Sequence, residues 1–188
     1  SVIIQIILGT LTALLLNQNF KGRGFVRGII LIPWAVPTIV NANLWKWIFN
    51  ANAGILNKVL LKLHLIDENI VWLGSGKLAI NMIILSDTWK MLPLVIIMLL
   101  AGLQTVSNDA KEASIIDGAN AWQRFRFITL PLLQPALASS IIYNLIGGLK
   151  LYDEIIALTD GGPAKKTHSL ATYIANRYFD AERAGYAA

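Results

Sequence analysis

Cysteine is absent from this 188-residue chain, and histidine occurs only at His64 and His168. Without thiols there is no disulfide framework, no thiolate metal site and no cysteine nucleophile. Two isolated histidines also argue against a histidine-rich metal centre. Charge is scarce: 14% of residues are Asp, Glu, Lys or Arg, against about 25% in an ordinary soluble domain. No stretch has the form GxxxxGK[ST], so a phosphate-cradling loop is missing. The Gly22-Arg23-Gly24 and Gly74-Ser75-Gly76 pairs read as turns. Strand-like alternation is lacking as well.

Apolar sequence takes the place of all these. Hydrophobic residues make up 55% of the chain, and the mean hydropathy is +0.57. An aqueous core does not need this much apolar surface, whereas lipid as the solvent does. The long apolar runs cover residues 2–16, 28–49, 78–103 and 130–158. The first would reach ~22 Å as a helix, against ~30 Å of hydrocarbon, and resembles a span that begins upstream of Ser1. No basic stretch or small-residue cleavage site marks it as a signal peptide. The other runs are long enough to cross, and the backbone in lipid must satisfy its own hydrogen bonds, so helices are expected.

The net charge of +5 comes mostly from short segments between these runs. Flanking charge on membrane spans explains it better than nucleic-acid binding. Residues 17–27 carry Lys21, Arg23 and Arg27 with no acid, a cytoplasmic signature under the positive-inside rule. Alternation then places residues 50–77 outside, 104–129 inside and 159–188 outside. The tail bears Lys165, Lys166, Arg177 and Arg183, so charge bias alone does not orient the chain. Within the outer connection, residues 55–66 put Leu56, Val59, Leu60 and Leu63 on one helical face, and Lys58 and Lys62 on another. Such a helix either lies on the membrane surface or packs on neighbouring protein.

Polar residues inside the runs call for an explanation, because a charge at mid-bilayer costs about 2.5–3.5 kcal/mol. Asp87 and Lys90 stand one helical turn apart, close enough to pair. They point to a polar pathway through the bilayer, or to an ion pair buried between helices. Lys150, Asp153 and Glu154 repeat the pattern near the outer end of the last run, where snorkelling to the interface is also open to them. Asn144, Gly147 and Gly148 lie deeper, and the glycines also suit close helix packing. Pro33, Pro37, Pro93 and Pro135 interrupt or flank the spans and are expected to kink them.

The connection between the last two runs reads SNDAKEASIIDGANAWQRFRFITLP. Asp109, followed three residues on by Glu112, suits an Asp form of the capping box. A short helix is expected to run to about residue 121, with Ala113, Ile116 and Ala119 on one side. Gly118 leaves backbone accessible, and Trp122, Phe125 and Phe127 are bulky anchors. A helix this short is marginal alone in water, so it either docks on a partner or lies on the bilayer.

Glu112-Ala113-Ser114, then Gly118, then Ile128-Thr129-Leu130-Pro131, with Asp117-Gly118-Ala119 between them, resembles the EAA signature of ABC importer permeases. Ser114 stands where a second alanine is usual, and Ser107 where proline often precedes the helix. The likeness extends through Phe25-Val26-Arg27, Leu31-Ile32-Pro33, Trp45 and Phe49. Gly54-Ile55-Leu56-Asn57, Trp72-Leu73 and Ala101-Gly102-Leu103-Gln104 continue it. Thr159-Asp160-Gly161-Gly162-Pro163 with Thr167 resembles the outer loop of the sugar-type members, of the MalF/UgpA-like kind.

That resemblance implies an all-α polytopic transmembrane helix bundle with the type I ABC importer permease (MetI-like) fold. It implies one transmembrane domain over residues 1–188, holding helices two to five of a six-helix core, with the sixth beginning just after residues 185–188. Residues 105–131 would be the cytoplasmic coupling loop, in which Glu112, Ala113, Ser114, Asp117, Gly118, Ala119 and Pro131 meet the ATPase. The solute path would be lined by Asp87, Lys90, Met91, Leu94, Asn144, Gly148, Leu151 and Tyr152. Gly161, Gly162 and Pro163 would belong to the outer loop. Implied partners are a paralogous permease subunit, two ABC ATPase subunits and an extracytoplasmic solute-binding protein, in a bacterial inner membrane. No catalytic residue, metal or cofactor is expected in this chain, ATP being held by the ATPase subunits. The solute would be a sugar or sugar-like molecule, or alternatively glycerol phosphate or another small polar solute. An ion channel or intramembrane enzyme fits poorly: both histidines lie in loops, and Asp87 has no second Asp at comparable depth in a facing run.

Overall fold

The computed structural model describes residues 1–179, and of residues 108–111 the backbone alone. Regular structure among the described residues is entirely helical. In chain order the helices are α1 (Val2–Leu16), α2 (Arg23–Ala35), α3 (Thr38–Ile48), α4 (Ile55–Lys62) and α5 (Gly76–Gln104). They continue as α6 (Asn108–Ile116), α7 (Ala121–Arg124), α8 (Leu130–Leu149), α9 (Asp153–Thr159) and α10 (Leu170–Phe179), with one π-helical turn at Phe125–Thr129 joining α7 to α8. Among the described residues, α5 and the stretch Ala121–Leu149, each 29 residues, are long and apolar enough to cross a membrane. The apolar helix α1 is shorter.

Two expected spans prove to be broken. Residues 28–49 form α2 and α3, which pass as an apolar span only as a bent pair. Pro37 drives Val36 out of the helical region, so α2 ends before it and α3 starts just after. The run 130–158 likewise stops at Leu149 and resumes at Asp153. Gly147 and Gly148 weaken the end of α8. Asp153 and Glu154 in the first turn of α9 favour a new helix N-terminus, where the helix dipole attracts negative charge. An added Cβ at Gly147 or Gly148 would meet open space, so close packing within this chain does not explain these glycines.

The chain divides into two compact units: Val2–Ala35 with Met91–Leu145, and Val36–Lys90 with the chain from Ile146 onward. In the first unit, Ala13, Leu16, Val95, Ile96, Leu99, Leu100, Leu103 and Leu133 form the buried apolar core. Small residues let its helices approach closely. A Cβ on Gly9 would lie 2.6 Å from Val95 Cγ1, and one on Gly102 would lie 2.5 Å from Ala136 Cβ. That is the packing expected where lipid removes the hydrophobic drive between helices.

In the second unit, Ala42, Phe49, Ile83, Ile155 and Leu158 form the core, with Trp45, Leu56, Trp72 and Leu73 packed against it. Helix α4 ends at Lys62, short of the expected residue 66, and His64 follows with a left-handed backbone. Its Leu56 packs on protein, whereas Ile55, Val59 and Leu63 stay exposed. Asn57 pins the helix down. Its Nδ2 donates to Ala51 O and Ile70 O, both at 2.9 Å, and its Oδ1 accepts from Trp72 Nε1 at 2.9 Å and Ile70 N at 3.3 Å. At 1% exposure no water replaces these bonds. Asn57→Ala is therefore expected to destabilise by about 2–4 kcal/mol, read as a lower thermal midpoint of the purified full-length subunit. An unchanged midpoint would remove Asn57 from any structural role.

Candidate functional site

Helix α6 ends at Ile116 rather than near residue 121, and the backbone shows why. Gly118 has a φ of +79°, and Ala119 N donates to Ser114 O at 2.9 Å and Gly118 N to Ile115 O at 3.0 Å. This is a Schellman stop, which needs a left-handed residue after the last turn, and glycine adopts it without strain. Ala119 therefore lies beyond the helix rather than on a face with Ala113 and Ile116. The next helix starts at once. Asn120 Oδ1 accepts from Gln123 N at 2.9 Å, and Gln123 Oε1 accepts from Asn120 N at 2.8 Å. This reciprocal capping box had a sequence signal in its Asn-x-x-Gln spacing. The side chain of Asp109, expected to cap α6, lies outside the described residues, as do Arg183 and residues 185–188. Arg124 Nη1 closes the joint by donating to Ala119 O at 2.8 Å.

On this stiff joint, Glu112, Ala113, Asp117, Gly118 and Pro131 are exposed, Ala119 is half-buried and Ser114 is buried. Ile116 is 86% exposed, Trp122 68% and Phe127 72%. Phe125 instead turns inward, where it lines a cavity of about 480 Å³ with Leu14, Gln18, Ile115 and Ile128. The capped joint thus presents one polar and one apolar exposed surface.

A second polar constellation lies within the unit built on α3, the first half of α5 and α9. Asn41, Ser86 and Glu154 are each 1% exposed or less. Ser86 Oγ donates to Glu154 Oε1, and Asn41 Nδ2 donates to Ser86 Oγ at 3.1 Å and to Glu154 Oε1 at 3.3 Å. Glu154 thus does not snorkel: α9 turns its carboxyl inward, and hydroxyl and amide donors solvate it there. Lys90, expected near Asp87 as a pair or a pathway charge, donates to Val36 O. The break before α3 interrupts the helical ladder at that carbonyl, and a lysine at 6% exposure supplies a donor to it. Asp87 beside Ser86 is also buried.

The remaining pathway candidates fall in both units. Met91, Leu94 and Asn144 belong to the first, where the buried Asn144 Nδ2 turns back to Ser140 O of its own helix at 2.7 Å. Gly148, Leu151 and Tyr152 belong to the second, and Tyr152 faces a cavity of about 520 Å³ with Leu170, Ile174 and Tyr178. In the 159–168 loop, Thr167 Oγ1 donates to Gly162 O at 2.8 Å and lies 2.9 Å from Thr159 Oγ1. Gly161 has a φ of +74°, and a Cβ there would sit 2.3 Å from His168 Nε2. The His168 ring thus fills the space a side chain would need, and Gly162 and Pro163 follow in the same tight loop.

Residues 5–185 match the family described as binding-protein-dependent transport system inner membrane component. The chain belongs to that family. Among its relatives is the trehalose/maltose transport system permease protein MalF of Thermococcus litoralis, 44% identical over 95% of this chain and 60% of that protein. The lactose transport system permease protein LacF of Rhizobium radiobacter is 36% identical over 90% of this chain and 57% of that one. The structure resembles a chain of a bacterial alginate ABC transporter in complex with an alginate pentasaccharide-bound periplasmic protein. The TM-score is 0.86 at 25% identity, covering 100% of this chain and 65% of that one. The chain therefore spans about three-fifths of the length of the curated relatives it matches. This likeness bears out the all-α permease bundle read from the sequence and accommodates the broken spans found here.

Proposed function

We propose that this chain is part of the permease subunit of an ABC importer, a transport subunit and not an enzyme. It would move a sugar or sugar-like solute delivered by an extracytoplasmic binding protein. Separate ATPase subunits hydrolyse ATP, and a paralogous permease completes the pore. The exposed joint from α6 to α7, carrying Glu112, Ala113, Ser114, Asp117, Gly118 and Ala119 with Pro131 beyond it, carries this reading. Each end of it is fixed locally, by the Schellman stop and by the capping box. A segment held that firmly transmits a push from an ATPase as a lever, not as a flexible tether.

Orientation follows from the first unit. Arg23 and Arg27 of the basic loop line one pocket with Gln104 and Ser107, which lead into α6. The positive loop and the coupling segment thus sit at the same end, and the positive-inside rule puts that end in the cytoplasm. The loop of Gly161, Gly162 and Pro163 is then assigned to the binding-protein side of a bacterial inner membrane. Asp87, Met91, Leu94, Asn144, Gly148, Leu151 and Tyr152 are assigned to the solute path, with Lys90 supporting it through Val36.

The test is transport by the full-length subunit with its partner permease, ATPases and binding protein in proteoliposomes. Uptake of labelled maltose or trehalose is expected only with both ATP and binding protein. Uptake without ATP would end the importer reading. Coupled uptake of glycerol phosphate, with none of any sugar, would end the sugar assignment.

A further inference from the structure

The coupling and pathway readings leave one built feature unused. At the common end of α1, α2 and α5, a pocket of about 550 Å³ is lined by Asn17, Asn19, Arg23, Arg27, Gln104 and Ser107. Arg23 and Arg27 are the charged residues among its described lining, which includes no carboxylate. Arg23 Nη1 donates to Asn19 Oδ1 at 2.7 Å, which turns the guanidinium along the pocket wall. Arg27 Nη2 donates to Leu16 O at 2.9 Å, while its Nε is buried without any hydrogen-bond partner in the protein. A buried guanidinium N–H left unpaired is costly, and a planar fork of donors suits a phosphate or carboxylate.

Depth decides between these anions. Leu16 and Leu103, at the ends of α1 and α5, are buried in the apolar core, and the polar lining begins immediately beyond them. On the orientation proposed above, this end of the unit is the one assigned to the cytoplasmic headgroup region. Phe20 and Phe25, on either side of Arg23, are 40% and 76% exposed, as suits aromatic anchors at a membrane interface. Basic pockets between helices at the cytoplasmic face hold anionic headgroups.

We propose that this pocket binds the phosphodiester headgroup of an anionic lipid, with Arg27 and Arg23 as its ligands. The site rests on the orientation proposed above, because it lies at the end assigned to the cytoplasm. Its occupant closes α1, α2 and the approach to α6 against one another within this unit. The lipid is thereby a structural ligand of the coupling end.

Native mass spectrometry of the assembled full-length importer tests this with dioleoylphosphatidylglycerol, dioleoylphosphatidylcholine and inorganic phosphate as probes. The wild type is expected to retain phosphatidylglycerol over phosphatidylcholine by about tenfold or more, with each arginine near the surface contributing. Arg27→Gln and the Arg23→Gln/Arg27→Gln pair should reduce that preference to about twofold or less. Arg27→Lys should keep part of it, and Lys21→Gln, in the same basic loop but outside the pocket, should keep all of it. If Arg27→Gln fails to assemble, Arg23→Gln and Arg27→Lys carry the comparison. Equal retention of the two lipids by the wild type would overturn the proposal. So would displacement of phosphatidylglycerol by millimolar phosphate, which would identify a free-anion site. Unchanged lipid retention with loss of the ATPase subunits in the double variant would assign the arginines to a protein carboxylate and equally overturn it. The readout needs no transport, so failed sugar uptake with intact lipid preference would sink the transport reading and leave this site standing.

Discussion

Glu154→Ala in the full-length subunit is expected to cost about 3–5 kcal/mol of stability, comparable to breaking a buried charged network. The physical cause is local. Asn41 Nδ2 and Ser86 Oγ both donate to this carboxylate, and all of these side chains are sealed from solvent. Alanine removes the acceptor and leaves a cavity, so the buried donors of Asn41 and Ser86 lose their partner. Glu154→Gln keeps the volume and one acceptor, so it should lose far less, about 1 kcal/mol. Thermal unfolding of the purified subunit, followed by loss of the monodisperse species, separates the two variants. Equal midpoints for Ala and Gln would show that the carboxylate is not the centre of this cluster. Because the donors come from α3 and α5 and the acceptor from α9, failure should appear as release of α9, read by faster proteolysis within the 159–168 loop.

Glu112→Ala should behave in the opposite way. Glu112 is exposed, so its removal should shift stability by less than about 0.5 kcal/mol, as for most surface substitutions. Coupled uptake, in contrast, is expected to fall about 30-fold or more, because truncating one partner of a buried charged pair at an interface costs about 2–5 kcal/mol. Uptake in proteoliposomes and co-purification of the ATPase subunits are the two measurements. Normal coupled uptake would remove Glu112 from the coupling machinery. Loss of membrane insertion would mean that the residue serves folding instead. The pair of variants thus separates a residue that holds the fold from one that transmits through it.

These two glutamates also show how far the sequence reaches. Glu112 was singled out by local motif spacing, a one-dimensional signal, and it lies exposed on α6. The same local reading carried the helix to about residue 121, whereas the left-handed Gly118 stops it at Ile116. For Glu154 the sequence left a polar pathway, a buried ion pair and snorkelling open, because its partners Asn41 and Ser86 stand 113 and 68 residues away. Nothing in an apolar run marks which polar residue meets which. Lys90 likewise serves a carbonyl, that of Val36, 54 residues distant, which no local spacing marked. Asn57 carried no signal beyond being polar on a partly apolar helix.

By itself the sequence determined that the chain is helical and built for lipid, that one short loop is basic, and that a segment with EAA-like spacing connects the last two apolar runs. Hydropathy, charge bias and motif spacing are properties summed along the chain, so they survive without knowledge of its folding. Pro37 already marked a kink in the second run; only the tertiary structure decided that the last run breaks after Leu149, that Glu154 turns inward, and that Arg23 and Arg27 share a pocket with Gln104 and Ser107. Those outcomes depend on which buried donor finds which acceptor once distant helices pack, and in a medium without water each such match is enforced by the cost of leaving a polar group alone.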